Sequence, residues 1–232
     1  MNKMSLKEYI QDVKEYIQND LLDITLETLY MVGLSGLIAT IFALIFGSLL
    51  YTLRTNKIKT CQVIYKVLDI IVNIFRSIPF IILILWLVPF TRGVLRLLTG
   101  IGTSSGTNAA IVPLAIAAIP FFTKIVENAL IEVNKGVVEA AESLGLNKFQ
   151  IIIKVVLQEA KPAIISGITL GLITLVGYSA MAGYVGGGGI GNFAQLAADR
   201  MDNNAKMYAV VTVIIFVQII QLIGNIIYKK YK

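Results

Sequence analysis

The chain has 232 residues, 56% of them hydrophobic and only 15% charged, with a formal net charge of +6 and a mean hydropathy of +0.78. Soluble domains carry about 25% charged residues, so this chain has too few charges to face water on all sides, and lipid must solvate much of it. The basic residues cluster beside apolar segments, as topology determinants do, which excludes a nucleic-acid footprint; the absence of histidine removes the commonest proton shuttle and metal ligand.

Residues 1–23 mix acids and bases around Leu6, Tyr9, Ile10, Val13, Tyr16 and Ile17, a spacing that makes one apolar stripe. An interfacial amphipathic helix is expected, the alternative being a disordered tail. No cleavable signal peptide is visible. A spanning helix needs about 20 apolar residues. The first runs from about Ile24 to Leu53. The second runs from about Thr60 to Phe90, with Lys66, Asp69 and Arg76 in a first half placed at or below the inner interface, and Pro79 a kink. Arg76 is costly in lipid and needs a carboxylate, a carbonyl or water; Asp69, on the same helical face, is a candidate partner. Arg76 and Pro79 are therefore read as structural. The third span covers about Asn108–Leu130, with Pro113 and Pro120 inside it. The fourth runs from Pro162 to about Gly183, the fifth from about Met207 to Tyr228. The fold class is an all-α membrane protein of five transmembrane helices without a soluble domain.

Orientation follows the basic residues. Arg54, Lys57 and Lys59 fill the first loop, and Lys229, Lys230 and Lys232 end the chain. With five spans these lie on one side, taken as cytoplasmic, which puts the N-terminus outside. Arg92 and Arg96 in the second loop run mildly against this. The lone Cys61 forms no intrachain disulfide and is expected reduced, on the inner side.

The third loop, 134–161, reads as two short helices. Asn134 caps the first, whose stripe is Val137, Val138, Ala140, Ala141 and Leu144 beside Glu139 and Glu142. Gly145 suits the left-handed position that ends it. Asn147 and Gln150 form a capping box for the second, which carries Ile151, Ile152, Val155 and Val156. A compact helix–turn–helix is a docking element, and the small Ala140 and Ala141 let a partner approach the backbone. An amphipathic loop lying on the membrane fits the same pattern.

Glu139-Ala140-Ala141, then three residues, Gly145, nine residues, and Val155-Val156-Leu157 resemble the E-A-A-x3-G-x9-I-x-L-P motif of ABC importer permeases. Val155 replaces the isoleucine and Gln158 the proline. Further stretches resemble the methionine-import permeases within that family: Ile74-Phe75-Arg76-Ser77-Ile78-Pro79-Phe80-Ile81-Ile82 with Val88-Pro89-Phe90-Thr91-Arg92, Ala110-Ile111-Val112-Pro113-Leu114, Val126-Glu127-Asn128-Ala129-Leu130, and Gly177-Tyr178-Ser179-Ala180-Met181-Ala182-Gly183. The resemblance covers about residues 22–228. It implies a type I ABC importer permease fold over 24–228, working as a homodimer in the bacterial cytoplasmic membrane. Two cytosolic ATPase subunits would carry the ATP and Mg, and an extracellular or periplasmic substrate-binding lipoprotein would deliver methionine. It further implies that Val138, Glu139, Ala140, Ala141, Ser143, Leu144, Gly145 and Leu157 couple to the ATPase. This chain is then a transporter subunit, not an enzyme, with no cofactor or metal of its own.

Gly167 and Gly171 form a G-x-x-x-G face suited to subunit contact, a moving gate or packing within the chain. Tyr178, Ser179, Met181 and Gly183 are candidates for the translocation path or gate, although Met181 equally serves as packing. Gly186–Gly189 lacks the Gly-Lys-Ser/Thr of a phosphate loop and reads as a tight outer turn. An ion-coupled carrier is disfavoured by the absence of histidine and of an acid deep in any span, since Lys124 and Glu127 sit near the inner end of the third. An intramembrane enzyme is disfavoured by the lack of a paired catalytic constellation.

Overall fold

The computed structural model describes residues 21–183 and 185–231, so most of the expected 1–23 segment and Lys232 lie outside the described residues. Among the described residues there are helices and connections but no strand. The long helices are α1 (Leu22–Thr55), α2 (Lys59–Ser77), α5 (Thr107–Ile131), α9 (Lys161–Gly183) and α11 (Asn203–Tyr231). Shorter ones are α3 (Phe80–Trp86), α4 (Val88–Thr99), α6 (Lys135–Ser143), α7 (Lys148–Ile151), α8 (Leu157–Glu159) and α10 (Gly189–Asp199). A π-helical turn, Ile152–Val156, joins α7 to α8.

Four helices (α1, α5, α9 and α11) are each long and apolar enough to span a bilayer, and the pair α2 and α3 makes up the fifth crossing. Helix α5 is the centre of the bundle. Its Leu114, Phe122, Val126 and Leu130 are fully buried, and both internal prolines lie inside the protein. Against it runs α1, whose Gly36, Ala39, Ala43 and Gly47 are buried at helical spacing. At Gly47 a methyl would stand 2.7 Å from Val126 Cβ, so α1 and α5 approach closely because glycine is there. In lipid, where apolar side chains gain little by leaving solvent, such close packing is what holds helices together. Threonine and serine hydroxyls within α1, α9 and α11 donate to carbonyls one turn back, as at Thr25, Ser35, Thr169 and Thr212, so no partner outside the helix is needed.

The second span departs from the expected single kinked helix. It is broken, with a bend of 99° between α2 and α3. Pro79 brings no N–H and forces Ile78 out of the helical region, to φ −75° and ψ 123°. The first half starts at the end of α5 that carries Glu127, where Tyr65 reaches that acid, and extends to the middle of α5 at Arg76. Asp69 meets Lys124, and Arg76 meets Phe121 near the middle of α5. No residue of α2 is buried in the chain. Two amphipathic helices not foreseen, α4 and α10, follow the break and the glycine run.

Candidate functional site

The third loop has the local structure its residues dictate. The Asn134 side chain accepts from the Gly136 N–H at 2.8 Å and starts α6. Gly145 has φ +80°; its N–H donates to Glu142 O at 2.9 Å, and Leu146 N–H reaches Ala141 O at 3.3 Å. Together these bonds are a Schellman stop. Asn147 and Gln150 form the reciprocal capping box, at 3.0 and 2.9 Å. The second helix does not stand apart as a short element. It continues through the π turn into α8, and α9 begins at Lys161. Gln158, which stands where the motif has proline, donates from Nε2 to Ile153 O at 3.4 Å, inside the π turn, where helical hydrogen bonding is locally rearranged.

The loop has an inner and an outer side. Ala141 is buried in the main core, and Val138 and Leu157 pack against it. Glu139, Ala140, Ser143, Leu144 and Gly145 are exposed. Leu144 is 81% exposed and Phe149 72%, an apolar tip on a polar loop. The expectation that both alanines admit a partner is therefore corrected: Ala140 faces out, while Ala141 anchors the loop to its own chain. Phe149 was not among the expected site residues. Its signal in the sequence is a large aromatic between Lys148 and Gln150 in the first turn of a capped helix.

A second polar constellation lies inside the bundle. Lys124 pairs with Asp69 of α2 and with Glu127 one turn further along α5. Glu127 is completely buried; it also accepts from the Tyr65 hydroxyl at 3.0 Å and lies 3.6 Å from Arg54 Nη1. Glu127 stands four residues before the end of α5, beside Arg54 at the end of α1, so this buried acid lies near the helix end where it was expected. The expected Asp69–Arg76 pair is absent. Asn73 stands between them, donating to Asp69 at 3.2 Å and accepting from Arg76 at 3.4 Å.

At the opposite end of the bundle, Tyr178 stacks on Phe80, ring centroids 4.8 Å apart and nearly parallel. Ser179 is buried and its hydroxyl donates to Val176 O at 2.8 Å, so it lines no open path here. Met181 is 45% exposed. Gly183 packs its backbone on Gly191 and Asn192. Gly167 and Gly171 serve packing within the chain, since methyls there would strike Ile125 and Phe122 of α5. The glycine run turns as expected and then launches α10, whose first N–H groups, of Gly189 and Ile190, donate to Glu27 and Thr28 of α1 at 2.8 and 2.9 Å.

A bundle of four or five candidate membrane-spanning segments with a structured, apolar-tipped loop at one end defines an all-α membrane protein. Residues 43–231 match the family described as the binding-protein-dependent transport system inner membrane component, and the chain belongs to that family. It is similar to the probable D-methionine transport system permease protein of Pasteurella multocida (strain Pm70), 43% identical over 212 residues, covering 89% of this chain and 93% of that one. The corresponding D-methionine permease of Escherichia coli (strain K12) is 48% identical over 157 residues, 68% of this chain and 70% of that one. Among solved structures, an inward-facing methionine ABC transporter is 41% identical with a TM-score of 0.84, covering 91% of this chain and 96% of that one. An amino-acid ABC transporter, 15% identical with a TM-score of 0.73 over 99% of this chain and 100% of that one, shares the fold. The chain is a transport component and not an enzyme.

Proposed function

We propose that the chain is the permease subunit of an ATP-driven methionine importer, working as a homodimer on two cytosolic ATPase subunits and fed by a substrate-binding lipoprotein. The relatives named above carry methionine transport in their descriptions, over most of both chains. The single observation that carries the coupling role is the loop tip. Leu144 and Phe149 are large apolar groups held out by two capped helices, an arrangement whose exposure a partner's cleft would offset. ATP and Mg belong on the partner ATPase, and this chain binds no cofactor. The basic residues Arg54, Lys57, Lys59, Lys229 and Lys230 support a cytoplasmic position for that loop in a bacterium, with the N-terminus outside the cytoplasmic membrane.

Reconstitution of the permease with its ATPase and binding protein in vesicles tests this directly. ATP-dependent methionine uptake is expected, and uptake driven by an ion gradient without ATP would sink it. Gly145→Val requires a β-branched residue at φ +80°, a conformation that costs on the order of 1–3 kcal/mol and displaces the tip. Glu139→Lys reverses an exposed charge on the docking face. Both variants should leave ATP hydrolysis running while methionine uptake falls; unimpaired uptake in both would remove the docking assignment.

A further inference from the structure

We propose that Arg76 holds the carboxylate of an amino-acid substrate midway through the membrane, at the break in the second span. The proposal rests on the transport reading above and extends it to a site on this chain.

Depth comes first. The Arg76 guanidinium carbon lies 5.9 Å from the Phe121 ring centroid. Phe121 stands in α5 about 15 Å from its inner end and about 21 Å from its outer end, at 1.5 Å per residue. The hydrocarbon core is about 30 Å thick. A guanidinium at that level is beyond the reach of either headgroup layer, so a lipid phosphate does not serve as its counterion. A cation at membrane depth requires a carboxylate, a carbonyl or a water-filled path.

Among the described residues no carboxylate pairs with Arg76. The ion pairs among the described residues are Arg54–Glu127, Lys124–Asp69 and Lys124–Glu127, and none includes Arg76. Asp69, the nearest acid along α2, gives one oxygen to Lys124 and the other to Asn73. Arg76 keeps one hydrogen bond, from Nη1 to Asn73 Oδ1 at 3.4 Å. A guanidinium has five N–H donors in a planar fork that matches a carboxylate in two parallel bonds. Most of that fork is open, and the residue is exposed within the chain.

A purely structural reading makes Arg76 a cation that satisfies the last carbonyls of α2. The hydrogen bonds do not support it. The Ile74 carbonyl is taken by the Ser77 hydroxyl at 2.7 Å and the Phe75 carbonyl by the Ile78 N–H at 3.4 Å. The surroundings suit a zwitterion with an apolar side chain. Phe121 lies against the guanidinium, while Phe80, directly beyond the break, is buried in its stack with Tyr178.

Saturation-transfer NMR on the complete permease–ATPase complex in nanodiscs, without the binding protein, tests this with two probes: L-methionine and L-methionine amide, which lacks the carboxylate. The wild-type complex should transfer saturation to methionine, and the amide should not displace it. Arg76→Gln should weaken binding about tenfold or more, the loss of a charge-assisted contact. Arg76→Lys should recover part of it, because a point charge replaces the fork. Melting temperatures of both variants should stay near wild type. Equal binding to Arg76→Gln, equal competition by the amide, or no transfer from any amino acid overturns the proposal. Vesicle uptake separates this outcome from the reading beneath it. If the wild type imports another amino acid, the methionine assignment fails and the Arg76 test is repeated with that acid and its amide. If it imports methionine while Arg76→Gln binds and transports equally, only the Arg76 site fails.

Discussion

Lys124→Met should destabilise the protein by about 3 kcal/mol and loosen α2 from the bundle. Removing one partner of a buried ion pair costs about 3–5 kcal/mol, because the other charge stays behind in a low dielectric. Here one lysine neutralises two acids, Asp69 and Glu127. The lower end of the range applies because the Asp69 side chain keeps 27% of its exposure and can recruit water, while Glu127, at 0%, retains Tyr65 and the more distant Arg54. Helix α2 buries no residue, so this polar clamp is its main hold on α5. The triple variant Asp69→Asn, Lys124→Met, Glu127→Gln should recover much of the loss, since no uncompensated charge remains. Thermal unfolding of the purified protein in nanodiscs reads the difference. A spin label on Cys61, the sole cysteine and part of α2, should become more mobile in Lys124→Met and return toward wild type in the triple variant. If Lys124→Met unfolds within about 0.5 kcal/mol of wild type, the clamp is not what holds α2.

What the sequence discloses here depends on how local the cause is. The long helices α1, α5, α9 and α11 fall within a few residues of the expected bounds, because long apolar runs have one solution in a bilayer. The third loop is legible for a similar reason. Asn134, Gly145 and the Asn147–Gln150 box act over two to five residues, and each makes the bonds its chemistry calls for. The break at Pro79 is only half legible. Proline excludes a continuous helix, but whether the chain kinks or turns by 99° is decided by where Phe80 finds its partner, and that partner is Tyr178, far along the chain. The clamp is less legible still. Asp69 and Lys124 are 55 residues apart, and along the helix Arg76 looks like the natural mate for Asp69. The buried side of the loop, with Ala141 turned inward, and the bonding of Ser179 to its own helix are likewise properties of packing and not of pattern. The exposed Leu144 and Phe149 could have been found from sequence only by asking why a polar, well-capped loop keeps two large apolar groups.

Gly191→Ala should be more damaging than the alanine substitutions of Gly167 and Gly177 in α9, costing about 3 kcal/mol, at the upper end for overpacking. A Cβ at Gly191 would run into the backbone of Ala180, against its carbonyl oxygen, Cα and carbonyl carbon, and no rotamer can relieve that. Gly167→Ala presses only on the Ile125 side chain, which is half-buried and can turn, so its cost is smaller. Gly177→Ala meets nothing within 4 Å and removes a flexible residue from the middle of α9, a gain of about 0.5–1 kcal/mol. Melting temperatures of the purified variants should therefore rank Gly177→Ala above wild type, Gly167→Ala below it and Gly191→Ala lowest; a Gly191→Ala protein as stable as Gly177→Ala would refute the argument. The consequence reaches transport, because the Gly183–Gly191 contact folds α10 back over the end of α9. That fold delivers the Gly189 and Ile190 N–H groups to Glu27 and Thr28, across 162 residues of chain. Separating the two backbones by the width of one methyl pulls both bonds out of reach at once. The N-terminal end of α1 then loses its tie to α10, and uptake should fall further than the change in melting temperature alone accounts for.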